Sequence, residues 1–160
     1  MGEVSDLGLA LLLVAAVMNG LLAGVSLNKS VVELPAGRRI GSLAFASFSR
    51  AADLGNGLPY YAALGLMTPA ISVAAAVEIV VGAAPSMALL ILAVAVACLS
   101  IAHVGATVGA APNMHRIGRL GNDAEALDGA YGRFRVWHDA RAILQVLTFG
   151  LVVTVIGVLA

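Results

Sequence analysis

The sequence predicts an all-α membrane protein, a four-helix transmembrane bundle with N-out and C-out topology, and three observations predict it. Hydrophobic residues make up 61% of the 160-residue chain and the mean hydropathy is +0.99, whereas soluble domains are apolar at roughly half of their positions. Those residues fall in four long runs separated by charged connectors, not in stripes along amphipathic helices. All nine basic residues lie in or beside just two connectors.

A spanning helix needs about 20 predominantly apolar residues. The first run, residues 7–27, meets this requirement. It is preceded by Glu3 and Asp6 with no Lys or Arg, unlike the basic start of a cleavable secretory signal, so the first helix is expected to stay in the protein. The connector that follows carries Lys29, Arg38, Arg39 and Arg50. Its Ile40, Leu43, Phe45, Ala46 and Phe48, interleaved with Arg50 and Asp53, predict a short helix lying at the interface or continuing into the second span.

The second run, residues 59–81, contains Pro69 and Glu78. A proline is tolerated in a membrane helix where neighbours satisfy the freed carbonyl. A turn at residues 82–85 then makes the third run, residues 86–111, the antiparallel neighbour of the second. The second basic connector holds Arg116, Arg119, Arg133 and Arg135 and ends beside Arg141. Its Asp123, Glu125 and Asp128 precede Tyr131, Phe134 and Trp137, which predicts a charged helical lead-in that puts aromatic rings at headgroup level before the fourth run, residues 140–159. The two basic connectors share one face of a four-span chain, and the positive-inside rule puts that face in the cytoplasm. The Ala, Val, Leu and Gly bias with few aromatics points to a bacterial inner membrane.

Ionisable and polar groups in hydrocarbon are costly and need a partner or a role. Counted at about 1.5 Å per residue from the cytoplasmic ends, Asn19 and His103 lie about 12 Å deep, Gln145 about 9 Å and Thr107 about 6 Å. His138, Arg141, Gln145 and Thr148 follow one helix face, as do Ser100, His103 and Thr107. Arg141, His138, Tyr60, Tyr61 and Asn56 form a mouth nearer the surface. A pocket lined by a histidine, amides and an arginine between bundle helices suits the polar group of an otherwise apolar small molecule. Hydrogen bonds that only hold helices together are the competing explanation for the same residues, and Arg141 and His138 also fit interfacial anchors that snorkel to the headgroups.

Glu78 lies over 10 Å above His103 by the same count and is expected at the outer interface. His115 and His138 flank the second basic connector, no HExxH spacing is present, and no metal site is assigned. No cofactor is identified by any phosphate loop, Rossmann fingerprint or nucleophile elbow, and nothing points to nucleic acid. Cys98 has no cysteine partner and is expected to be inert packing. Gly20 with Gly24 and Gly105 with Gly109 make GxxxG seams, within the bundle or between protomers. With a mass of only 16.1 kDa, they make a homo-oligomer an expectation.

The segment Arg133-Phe-Arg-Val-Trp137-His138-Asp-Ala-Arg141, running into an apolar helix, resembles the entry to the last helix in a large family of small four-helix membrane proteins that includes the anthrone oxygenases. Gly20-Leu-Leu-Ala-Gly24-Val-Ser26, Asn56, and Ala111-Pro112-Asn113-Met-His-Arg116 resemble that family's segments in the same order. The chain departs from the pattern in having Tyr131 and Phe134 where a second tryptophan is found, and in carrying His103. The resemblance implies a cytoplasmic-side site using Asn56, Asn113, His138 and Arg141. It also implies an oxygenase-type oxidation of a phenolic polycycle by dioxygen without a known prosthetic group.

The expected machinery is therefore His103, His138 and Arg141 as catalytic groups, with Asn19, Asn56, Tyr60, Asn113, Trp137 and Gln145 around a hydrophobic aromatic or quinoid substrate. The alternative expectation is a non-enzymatic binder of lipid or another hydrophobic ligand, or a subunit of a larger membrane complex.

Overall fold

The computed structural model describes residues 5–82 and 85–159, and almost all of them are helical. Helix α1 (Asp6–Asn28) runs through a π-helical turn (Lys29–Glu33) into α2 (Leu34–Ile40). Helix α3 (Ser42–Ala51) runs through a second π-helical turn (Ala52–Asn56) into α4 (Gly57–Gly82). Helices α5 (Met87–Arg119) and α6 (Ala124–Leu159) are uninterrupted. The expected short connector helix therefore exists and does continue into the second span. Four helical stretches, Asp6–Ile40, Ser42–Gly82, Met87–Arg119 and Ala124–Leu159, are long and apolar enough to cross a membrane.

Local chemistry marks the ends. Ser5 Oγ accepts from Gly8 N at 3.0 Å, Ser86 Oγ from Leu89 N at 3.3 Å, and Asp123 Oδ1 from Ala126 N at 3.0 Å, so each takes a donor that a helix start leaves unpaired. Arg50 Nη2 donates to the carbonyls of Ile117, Leu120 and Gly121, which serves the acceptors orphaned at the end of α5. The chain breaks between α2 and α3 at Gly41, whose φ of +88° is a region other residues enter only with strain.

The four long helices form a square: α1 packs on α4 and α6, and α5 packs on the same two. Connections at alternating ends make the order up, down, up, down. The outward faces carry Leu13, Val17, Leu21, Leu66, Met67, Ile91, Val94, Ile101, Ile143 and Leu147, all exposed. A helix apolar on every side suits hydrocarbon and not water. Cys98 is on this outward surface, exposed in the chain and not packed inside the bundle as expected.

Two apolar cores fill the square. One, at the end where α4 stops and α5 starts, gathers Leu12, Ala75, Ile79, Leu89, Val96, Val152 and Val155. The other, at the end bearing the two basic connectors, gathers Leu34, Phe45, Ala110, Ile117, Leu127 and Phe134. Helix α5 has 33 residues, about 50 Å of helix against about 30 Å of hydrocarbon, so the second core belongs to helix extending past the apolar span.

That extension changes the expected aromatic belt. Phe134 is only 3% exposed and Tyr131 stacks at 4.9 Å on Phe45, with its hydroxyl donating to Ser49 Oγ at 3.2 Å. Of the three rings only Trp137 faces out, at 46% exposure. The glycine seams change too. A Cβ on Gly20 would lie 3.1 Å from Phe149, and one on Gly109 would lie 2.5 Å from Trp137, whereas Gly24 and Gly105 meet nothing within 4 Å. Gly20 and Gly109 seat aromatic rings of this same chain, and neither pair forms a backbone-to-backbone seam inside the bundle.

Candidate functional site

Between the two cores lies a polar layer. Asn19, Ser26, Thr68, Ser72, Ser100, His103, His138, Gln145 and Thr148 are all buried there. Part of it ties helices together: Asn19 Nδ2 donates to Ser72 Oγ at 2.8 Å, from α1 to α4. Thr107 and Thr148 instead donate to carbonyls on their own helices, those of His103 at 3.0 Å and Leu144 at 2.8 Å. At the far end of the bundle, Ser5 Oγ donates to Glu78 Oε2 at 3.3 Å, which places Glu78 away from this layer.

The rest of the layer surrounds a cavity of about 290 Å³ bounded by α1, α4, α5 and α6 and by both π-helical turns. Its walls are largely apolar, from Leu22, Val25, Leu58, Ala110, Met114 and Phe134, among others. The wall also carries polar side chains, Lys29, Asp53, His103, His138, Arg141 and Gln145 among them. Pro69 has no N–H to give to the carbonyl of Gly65, another wall residue.

The two buried histidines are held differently. Arg141 Nη2 lies 2.7 Å from His138 Nδ1, and arginine only donates, so Nδ1 is the acceptor and Nε2 carries the hydrogen. Nε2 then donates to the carbonyl of Ser26 at 3.2 Å, and the ring stacks on Phe134 at 5.3 Å. Both nitrogens of His138 are thus engaged, one with Arg141 and one with the Ser26 carbonyl. Arg141 Nε is buried with no acceptor among the described residues.

His103 Nε2 meets Gln145 Nε2 at 2.9 Å, an amide donor facing a ring acceptor, while Gln145 Oε1 is buried without a donor among the described residues. The same amide turned end for end would accept from Nε2–H and leave Nδ1 as the ring's acceptor. The pair can therefore hold His103 in either tautomer, a freedom that His138 lacks.

Four of the nine expected site residues, His103, His138, Arg141 and Gln145, line the cavity. The other five lie off it. Asn19 bonds to Ser72 within the bundle. Asn56 is exposed on the second π-helical turn, and Tyr60 is 48% exposed, its neighbour Tyr61 being the tyrosine on the wall. Asn113 donates to the Gly109 carbonyl at 3.0 Å and accepts from Arg133 Nε at 3.4 Å, a link between α5 and α6. Trp137 sits over Gly109 on the outer surface.

Sequence reading missed the ion pair at the cavity wall. Lys29 Nζ lies 2.6 Å from Asp53 Oδ1 and 3.2 Å from Glu33 Oε2, with both Lys29 and Asp53 6% exposed. Each residue of the buried pair sits in a π-helical turn, and an inserted residue in a helix re-aims the side chains around it. One signal was present: a single acid among apolar residues, Ala52-Asp53-Leu54, opposite the lysine that ends the first apolar run. His115 also reaches the cavity wall. It lies twelve residues beyond His103 on the same helix, about 18 Å along the axis, and among the described residues no three His, Cys, Asp or Glu side chains are placed to hold a metal ion.

No known family's model, no curated protein and no solved structure matches the chain.

Proposed function

We propose that the chain is a membrane oxidoreductase of oxygenase type that takes a hydrophobic aromatic or quinoid molecule into this cavity and oxidises it at an activated carbon. The observation that carries this reading is the meeting of two polar pairs, Gln145–His103 and Arg141–His138, on one cavity between the helices. A base and a fixed cation around an apolar space suit a weakly acidic phenol or methylene. His103 takes the proton and Gln145 steadies the ring. Dioxygen then reacts with the electron-rich anion, and the unpaired Nε–H of Arg141 holds the oxygen on which charge develops. In balance, a methylene and O2 become a carbonyl and water. The likeness of residues 133–141 to the entry of the last helix in the anthrone oxygenase family supports the same chemistry.

The sorting of all nine basic residues to one end supports a cytoplasmic location for that end, both termini outside, and ligand entry from the cytoplasmic leaflet. A bacterial inner membrane is the proposed location, and a homo-oligomer the proposed assembly. The second reading, a non-enzymatic hydrophobic-ligand binder or complex subunit, is favoured by the Asn19–Ser72 bond, a polar pair of the same layer with no access to the cavity.

The test is mass spectrometry with an optical spectrum of the protein purified gently from its own membrane. A bound quinone or polyphenol that is lost in His138→Ala and Arg141→Ala is the expected result. Protein carrying only lipid, or stoichiometric partner subunits, transfers the conclusion to the second reading.

A further inference from the structure

We propose that Asp53 selects the ligand, accepting through Oδ2 a hydrogen bond from a neutral hydroxyl group on the molecule in the cavity, while Lys29 holds its other oxygen. The inference rests on the reading that the cavity binds a hydrophobic aromatic molecule, and it adds the group by which that molecule is recognised.

Asp53 is the one carboxylate among the residues that line the cavity. It is 6% exposed, its Oδ1 is 2.6 Å from Lys29 Nζ, and its Oδ2 is buried with no donor among the described residues. A carboxylate that serves only as half of a structural ion pair in a low-dielectric interior satisfies both oxygens, because an unpaired buried acceptor is costly. Here one oxygen is clamped and the other is buried without a donor among the described residues, on a residue of the cavity wall. Lys29 donates to Asp53 Oδ1 at 2.6 Å and to Glu33 Oε2 at 3.2 Å and makes no bond to Oδ2.

The charge already present decides between donors. The ammonium of Lys29 neutralises Asp53 at contact distance, and Arg141 is a further cation on the same wall, so an ammonium ligand would meet two like charges while a neutral O–H meets none. A space of about 290 Å³, at the small end of ligand pockets, suits a compact ring system as the part of the ligand held inside it. Both π-helical turns belong to this device, since one carries Lys29 and the other Asp53.

The experiment is equilibrium dialysis of 2-naphthol and of 2-methoxynaphthalene against the full chain in lipid nanodiscs, with empty nanodiscs as the blank. The two probes share a ring system, and only the first has a donor. The wild type is expected to bind 2-naphthol roughly tenfold or more tightly than its methyl ether, as a hydrogen bond to a charged group allows. Asp53→Asn is expected to remove most of that preference while still binding the ether. The wild-type comparison needs no variant to fold. Lys29→Met, which frees Oδ1, supplies a second variant and is expected to weaken the preference without abolishing it. Equal binding of the two probes by the wild type overturns the role of Asp53 and leaves the cavity reading standing. Binding of neither probe removes both.

Discussion

Both nitrogens of His138 are committed, one to Arg141 and one to the carbonyl of Ser26, whereas among the described residues the His103 ring has a single partner, Gln145. The distinction assigns different work to two residues of the same type. Removing His138 should disturb Arg141 without removing the base: His138→Ala is expected to weaken ligand binding and to leave residual turnover, while His103→Ala retains binding and loses turnover. Measuring dissociation constant and rate separately for each variant checks this. Asn19 belongs to the same layer but holds helices together. Asn19→Ala is expected to cost about 1 kcal/mol, the range of an interhelical hydrogen bond in a membrane protein, as read by reversible denaturation in mixed micelles, and to leave ligand affinity unchanged.

Among the elements, the interruptions in regular helix carry most of the consequence. Gly41 turns the chain with φ at +88°, and Gly41→Ala is expected to lower stability by about 1–3 kcal/mol, the cost of that sparsely populated region for a residue with a Cβ. The Gly105 and Gly109 pair separates in a way one spectrum can follow. The chain has a single tryptophan, and a Cβ at Gly109 would lie 2.5 Å from it, while one at Gly105 meets nothing within 4 Å. Gly109→Ala should therefore shift the emission of Trp137, and Gly105→Ala should leave it in place.

The elements also show what could be read in the chain beforehand. The four apolar runs and the common depth of Asn19, His103 and Gln145 follow from a rise per residue that every α-helix shares. The Lys29–Asp53 contact escaped that count because each residue lies in a π-helical turn, where the rotation per residue departs from the α-helical value. Tyr131 and Phe134 escaped it for another reason. They lie where α5 and α6 continue past the apolar spans and pack on α3 around a core of their own, so they obey inside-and-outside sorting as in a soluble protein and not sorting by membrane depth. Trp137, one turn further along, is the aromatic residue that kept the expected outward position.

At the scale of the whole molecule, two apolar cores with a polar layer between them leave a cavity at the level where the four-helix square passes into its extended end. The charge asymmetry of that end carries its own prediction. In a Cys98→Ser background, Gly82→Cys in intact cells should react with a membrane-impermeant maleimide and Asn122→Cys should not, with the reverse result in inverted vesicles. Occupancy of the cavity is the central claim, and Gly65 gives direct access to it. Gly65 lines the cavity, and a Cβ there would meet nothing within 4 Å. Leucine is also the better helix former by about 0.8 kcal/mol, so Gly65→Leu fills the space without a cost to α4. The decisive measurement is binding of 2-naphthol to Gly65→Leu beside the wild type in nanodiscs, with thermal stability recorded for both. A variant at least as stable as the wild type that no longer binds is the predicted result, and a stable variant that binds as the wild type does would place the ligand outside this cavity and contradict the claim.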